Sequence, residues 1–215
     1  TCALPISSPG SEWSPVWEAM ARQTVEKNAG PQFLDCWHET VAVDMALGYT
    51  AYTGRPQAVL IHAGVGLMHG SMAMLSATQN EIPMLVMSGE ATTFGDDPEQ
   101  PVEPQFYGGV SVGGAHRMVD PIVKWATQVT SAPTLYSTVT RSMELAQRQP
   151  QGPVYVNVSL ECMLHEWKKP NELAAVPPAP KLAPQQQDVD AIAAMLKAAR
   201  SPTIVVEGEI GRAHV

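Results

Sequence analysis

Three short clusters in this sequence hold residue types that could do chemistry. His38-Glu39-Thr40 puts a carboxylate where an apolar run, 33–37, gives way to helical periodicity. The C-terminal edge of a strand in an open α/β sheet is where ligands are generally held. A carboxyl screened from water there makes a strong hydrogen bond and can have its proton affinity raised. The plainer assignment for Glu39 is an acid in the first turn of a helix, favoured by the helix dipole. His38 receives no role. The second cluster, Gly64-Val65-Gly66-Leu67-Met68-His69-Gly70, opens a helix directly after a strand. It reads as a tight strand-to-helix turn, or as a dinucleotide-binding turn with Glu90, at the end of the next strand, available to a ribose hydroxyl. The dinucleotide reading leaves His38-Glu39 unexplained, and also the third cluster, the Pro9-Gly10 turn. His62, His116 and His165 are scattered without ligand spacing, so no metal site is expected.

The elements that must carry these clusters alternate apolar runs with amphipathic stretches, the pattern of an α/β fold with a mainly parallel sheet. After Pro9-Gly10, the spacing of Trp13, Trp17 and Met20 predicts a helix to about Lys27, stopped by Asn28-Ala29-Gly30. A strand over 33–37, a helix over 38–52, a buried strand over 57–62, a helix to about Thr78 and a strand over 82–88 follow. Met45, Met68, Met72, Met74, Met84 and Met87 fall on core faces of these elements and read as packing. The stretch 90–114 is rich in glycine, proline and acids; so long a connection inside a compact domain is usually functional, often a lid. A strand over 125–129, a helix opening at Pro133 and a strand over 153–158 complete the pattern. The five prolines of 168–185 mark a linker. A helix over 188–199 and a strand over 203–206 then begin a second unit.

Composition narrows the function classes. Of 215 residues, 45% are apolar and 16% charged, and the net charge is −8, a globular profile with a real core. No basic run exists, so the electrostatic footprint of nucleic-acid binding is missing. No stretch has the length and apolarity of a membrane span, and no export signal is evident. Cys2, Cys36 and Cys162 are widely spaced and odd in number; a reduced cytoplasmic setting is the expectation.

Both ends look foreign. Thr1-Cys2-Ala3-Leu4-Pro5-Ile6 and Glu209-Ile210-Gly211-Arg212-Ala213-His214-Val215 can be encoded by one DNA word, GATCGGAAGAGCACACGT, read in opposite senses. That word looks like a sequencing adaptor. The expectation is a metagenomic fragment truncated at both ends, in which 1–6 and 209–215 are translated adaptor making few contacts with the core.

The ordered set of motifs carries a family resemblance. It comprises Ser8-Pro9-Gly10-Ser11, His38-Glu39-Thr40, Met45-Ala46-Leu47-Gly48-Tyr49, Thr53-Gly54, Gly64-Val65-Gly66, Ile82-Pro83, Ser88-Gly89 and Gly152-Pro153-Val154. Each is weak alone; together, in order and with fitting spacing, they resemble the N-terminal pyrimidine-binding domain of acetolactate synthase-like thiamine diphosphate enzymes. The resemblance implies a flavodoxin-like parallel α/β domain over 8–167, the linker 168–185, and the truncated start of a Rossmann-like central domain over 186–208. It implies thiamine diphosphate as cofactor, with Glu39 as the catalytic residue that hydrogen-bonds the aminopyrimidine nitrogen and favours the imino tautomer. Pro9, Gly10, Gly64, Val65 and His69 would join Glu39 in binding the cofactor's rings. Magnesium and diphosphate belong in this family to a C-terminal domain with a Gly-Asp-Gly motif, absent here, so the fragment alone is expected to be inactive. The implied reaction makes or breaks a carbon–carbon bond of a 2-oxo acid, in a homodimer or tetramer with the site at the subunit interface. Two departures stand out: Val65 where the family has proline and His69 where it has asparagine. They keep a non-catalytic paralogue open as an alternative, beside the dinucleotide-binding module.

Overall fold

The computed structural model of the protein describes residues 5–28, 30–90, 114–129, 131–166, 168 and 175–204. Two compact units divide between Pro178 and Ala179, inside the stretch expected to be a linker, and residues 175–185 form neither helix nor strand.

The first unit is built on six parallel strands: β1 (Pro5–Ser8), β2 (Leu34–Asp35), β3 (Gln57–Ile61), β4 (Met84–Glu90), β5 (Trp125–Val129) and β6 (Pro153–Ser159). Their order is β2-β1-β3-β4-β6-β5. The first four positions follow flavodoxin-like winding. At the far side β5 is laid at the edge and β6 returns between it and β4. Every residue of β4 except Met87 is buried, as is all of β6. That explains their near-continuous apolar sequences, the mark of a parallel strand covered on both faces.

The helices are α1 (Ser14–Val25), α2 (Glu39–Thr53), α3 (Val65–Gln79), α4 (Ala115–Val119), α5 (Ala132–Gln147) and α6 (Leu160–Leu164). Two apolar clusters cover the two faces of the sheet. On one side Ile6, Val59, Ile61, Met84, Val86 and Tyr155 pack with Ala42, Val43 and Ala46 of α2 and Leu67, Ala73 and Met74 of α3. On the other, Leu60, Leu85, Val154 and Val156 pack with Trp13, with Met143 and Ala146 of α5, and with Cys162 of α6.

One expectation fails here. Residues 5 and 6 are not a passenger tail: they form the first half of β1, an interior strand paired with both β2 and β3. The Ile6 side chain is 1% exposed. In this structure β1 therefore starts within the segment expected to be a tail. Smaller corrections follow from local geometry. Of the expected strand 33–37 only Leu34–Asp35 pairs in the sheet, because Phe33 and Trp37 sit exposed at its edge. Helix α1 stops at Val25, before the expected Asn28-Ala29-Gly30 signal, and Lys27 takes the left-handed turn (φ 53°). The expected lid at 90–114 lies almost wholly outside the described residues, as do 1–4 and 209–215.

The second unit contains α7 (Gln186–Ala198). Of the strand expected over 203–206, residues 203 and 204 are described and form none.

Candidate active site at the β1/β3 switch point

In flavodoxin-like winding the strand order reverses between β1 and β3, and the crevice beyond their carboxyl ends is where ligands bind. Four chain segments leave the sheet at this edge. Pro9-Gly10 follows β1, Cys36 to His38 follow β2, His62 to Gly64 follow β3, and β4 ends at Glu90.

Glu39 is the first residue of α2. The ring of His38 caps that helix, its Nδ1 accepting the Thr40 N–H at 3.2 Å. Capping by an extended residue whose side chain accepts from the first turn is the ordinary way to start a helix here. It leaves the Glu39 side chain directed towards α3. There Glu39 Oε2 lies 3.1 Å from His69 Nδ1; the glutamate side chain is 13% exposed and the histidine 55%. The pairing is braced twice. The Thr40 hydroxyl donates to the His69 carbonyl at 2.6 Å, and the His38 and His69 rings stack with centroids 4.9 Å apart.

The Gly64 turn brings α3 up to this carboxylate. Gly64 has φ 57°, a region that costs other residues dearly and glycine nothing. Two residues on, α3 passes Glu39 so closely that a Cβ on Gly66 would stand 3.0 Å from Glu39 Oε1 and 2.8 Å from His62 Cβ. Gly66 is the wall shared by Glu39 on one side and His62 on the other.

Behind His62 stands a second carboxylate that sequence reasoning missed. Glu12, in the 3-10 turn Ser11–Trp13, is 2% exposed. Its Oε1 accepts the Ala63 N–H at 2.7 Å and lies 3.4 Å from His62 Nδ1. The Trp13 indole donates to the Ile61 carbonyl at 2.8 Å. Together these bonds pin the 3-10 turn over the end of β3. Gly10 belongs to the same corner: a Cβ there would meet Glu12 Oε2 and, at 2.7 Å, the His62 ring. A spacing of fifty residues between Glu12 and His62 gives no local signal of their contact.

The expected site residues thus divide. Glu39, His69, Gly64 and Gly10 gather round the switch point. Val65 is exposed on the first turn of α3. Pro9 lines a groove of about 710 Å³ against α1, with Trp17, Met20 and Phe33. Glu90, which the dinucleotide reading needs as an accessible acid, is 4% exposed. Cys36 and Cys162 are buried free thiols, and burial pushes both above the usual thiol range. Among the described residues no helix is long and apolar enough to cross a membrane.

The arrangement offers a mostly shielded carboxylate packed against the glycine wall of α3, with the buried Glu12 near His62 beside it. Known proteins share the scaffold. Residues 6–105 match the family described as thiamine pyrophosphate enzyme, N-terminal TPP binding domain. An acetolactate synthase large subunit of Mycobacterium tuberculosis is 25% identical over 191 residues, covering 87% of this chain and 33% of the relative. A benzoylformate decarboxylase of Pseudomonas aeruginosa is 23% identical over 182 residues, covering 82% and 32%. In structure, the benzoylformate decarboxylase of Polynucleobacter necessarius superposes with a TM-score of 0.71 at 22% identity, covering 92% of this chain and 34% of that one. The chain spans about a third of the length of the curated relatives it matches. Over residues 6–105, just under half of its length, the chain matches the N-terminal TPP binding domain of the thiamine pyrophosphate enzymes.

Proposed function

We propose that this domain activates thiamine diphosphate through Glu39, as part of an enzyme that makes or breaks a carbon–carbon bond of a 2-oxo acid. The observation that carries the reading is the position of Glu39. It is mostly shielded, at the carboxyl edge of the sheet, with Oε1 against the bare backbone of Gly66. The fit to an aminopyrimidine ring is reasonable, because Oε2 is held by His69 while Oε1 remains for a ring nitrogen. When bound, the cofactor supplies a nucleophilic carbon at its thiazolium C2. The work of Glu39 is to hold a proton at the pyrimidine nitrogen, in a setting where water competes little. His69 in place of the family's asparagine keeps a polar contact on that carboxylate, which supports a catalytic domain over a degenerate one. His62, 32% exposed with Nδ1 3.4 Å from Glu12 Oε1, is a second polar group at the same edge.

The rest of the assembly belongs to the same proposal. Magnesium and diphosphate would be held by a further domain of the family's kind, and 186–208 would start a Rossmann-like central domain. Helices α2 and α3 expose Val41, Tyr52 and, against the expectation of core packing, Met45, Met68 and Met72. A second copy covering them would bring its own half of the site to this edge, giving a homodimer or tetramer. A cytoplasmic setting fits the buried free thiols.

The test is Glu39→Gln in this domain joined to the remaining domains of an acetolactate synthase-like relative. The amide is nearly isosteric but cannot share a proton with the ring nitrogen. Hydrogen–deuterium exchange at C2 of the bound cofactor should slow by about a hundred- to ten-thousand-fold, with cofactor affinity largely kept. Exchange as fast as in the unsubstituted protein would reduce Glu39 to a helix-terminus acid.

A further inference from the structure

His38, Glu39 and His69 each present one ligand atom, and the three atoms lie within 4.8 Å of one another. We propose that they form a site for a borderline divalent cation such as Zn²⁺, distinct in chemistry from any magnesium that travels with a diphosphate. The donor set is two imidazoles and a carboxylate, the set that zinc takes with a fourth position left open, whereas magnesium prefers oxygen alone.

Two of the three donors already stand near the spacing that zinc needs, and the third must move. Zinc–ligand bonds of about 2.0–2.2 Å in a tetrahedron hold donor atoms roughly 3.3–3.5 Å apart. Glu39 Oε2 and His69 Nδ1 already stand at 3.1 Å, so the cation takes the place of the proton between them. His38 must close by about an ångström or more to reach the bond lengths zinc needs. Its ring is exposed and must turn out of its stack on His69, because a metal lies in the plane of each imidazole it binds; the 3.2 Å cap from Thr40 N–H is the bond at stake. The backbone of the site is stiff, since the Thr40 hydroxyl ties α2 to the His69 carbonyl. Two of the three donors come from helix α2 and its cap and the third from α3, so the spacing rules that find ligands in sequence pass over them. His116 and His165 have no part in the cluster.

The cation and the cofactor would compete. On the reading of Glu39 given above, both need the same carboxylate, so the metal acts as an inhibitor that excludes the pyrimidine ring. The binding itself does not rest on that reading and is tested without cofactor. Equilibrium dialysis of the 215-residue chain against Zn²⁺ should give one ion per chain at micromolar free metal, and no binding of Mg²⁺ under the same conditions. His69→Asn and His38→Ala should each weaken Zn²⁺ binding by roughly tenfold or more, as loss of one of three ligands demands. Cys2→Ser and His165→Ala should leave it unchanged. Near-ultraviolet circular dichroism of each variant separates loss of the site from loss of the fold. Zn²⁺ binding by folded His69→Asn equal to that of the unsubstituted chain would overturn the site. So would loss on Cys2→Ser or His165→Ala, or no binding at millimolar metal.

Discussion

Ile6→Ala is the sharpest test of the sheet, because the residue lies in a segment whose codons look foreign. Ile6 is 1% exposed on β1, in register with Leu34 of β2 and Val59 of β3. Removing its outer carbons leaves a cavity lined by the α2 and α3 side of the core. Buried Ile→Ala changes cost about 2–5 kcal/mol, more where the surroundings cannot collapse. Here the backbone is clamped by hydrogen-bonded strands on both sides, so the expected cost is in the upper range, about 3–5 kcal/mol. For a protein of this size each kcal/mol moves the melting temperature by about 2–4 °C, giving a drop of about 6–20 °C. Val25→Ala, at a site 81% exposed on α1, is the control and should stay within about 0.5 kcal/mol. Thermal melts read the first quantity, and urea midpoints at unchanged slope read the second. A drop below about 2 °C for Ile6→Ala, equivalent to less than about 1 kcal/mol, would refute the reasoning and return β1 to the status of an adventitious tail.

Two further outcomes are expected of the same scaffold. Trp13→Phe removes the donor to the buried Ile61 carbonyl and shrinks a ring that is 2% exposed; it should cost about 2–4 kcal/mol in urea unfolding, and a cost near zero would contradict both the bond and the packing. Burial pushes the Tyr155 phenol well above its usual range, against the smaller opposing effect of its hydrogen bond with Ser88. A raised value in the folded state means that this tyrosine's share of stability is full below the unfolded pKa of about 10 and is lost as pH rises beyond it. Tyr155→Phe should therefore flatten the alkaline fall in stability, and ionisation of Tyr155 in the folded protein together with the exposed tyrosines would contradict the burial.

What the sequence made legible follows from how each element earns its stability. Strands β3, β4 and β6 are buried on both faces, so each had to be written as an apolar run, and each stands within two residues of its expected place. Strand β1 reads Pro-Ile-Ser-Ser. Its burial is satisfied by hydrogen bonds such as Ser7 Oγ to the Leu60 carbonyl, and small polar residues leave no periodic signal. The family pattern singled out Glu39, Gly64 and His69, and the fold brings them together. It gave no hint of Glu12, whose contacts lie about fifty residues away at Ala63 and His62. The metal-like cluster was invisible for a related reason. His69 meets Glu39 only because α3 crosses α2 at Gly66, and a thirty-residue separation encodes nothing about that crossing.

The two departures from the family pattern change meaning once Gly66 is seen as a shared wall. Proline at position 65 would stiffen the turn, but the turn is already fixed by Gly64 at φ 57° and by the Gly64 carbonyl accepting the Met68 N–H at 3.1 Å. Val65 can therefore stand there without moving Gly66, and an exposed valine leaves the wall where it was. His69 is the larger change. An asparagine offers a neutral amide, whereas histidine offers a ring that can carry charge, stack on His38 and bind metal. Its Nδ1 occupies Glu39 Oε2 and so decides which oxygen faces an incoming ring. Both departures also sit at the start of the apolar stripe formed by Val65, Met68 and Met72. In the proposed assembly, a second copy would cover a stripe that begins at the same end of α3 as His69. Burying the stripe would dry the carboxylate, which is what proton sharing with a ring nitrogen requires. Assembly and activation would then be one event rather than two.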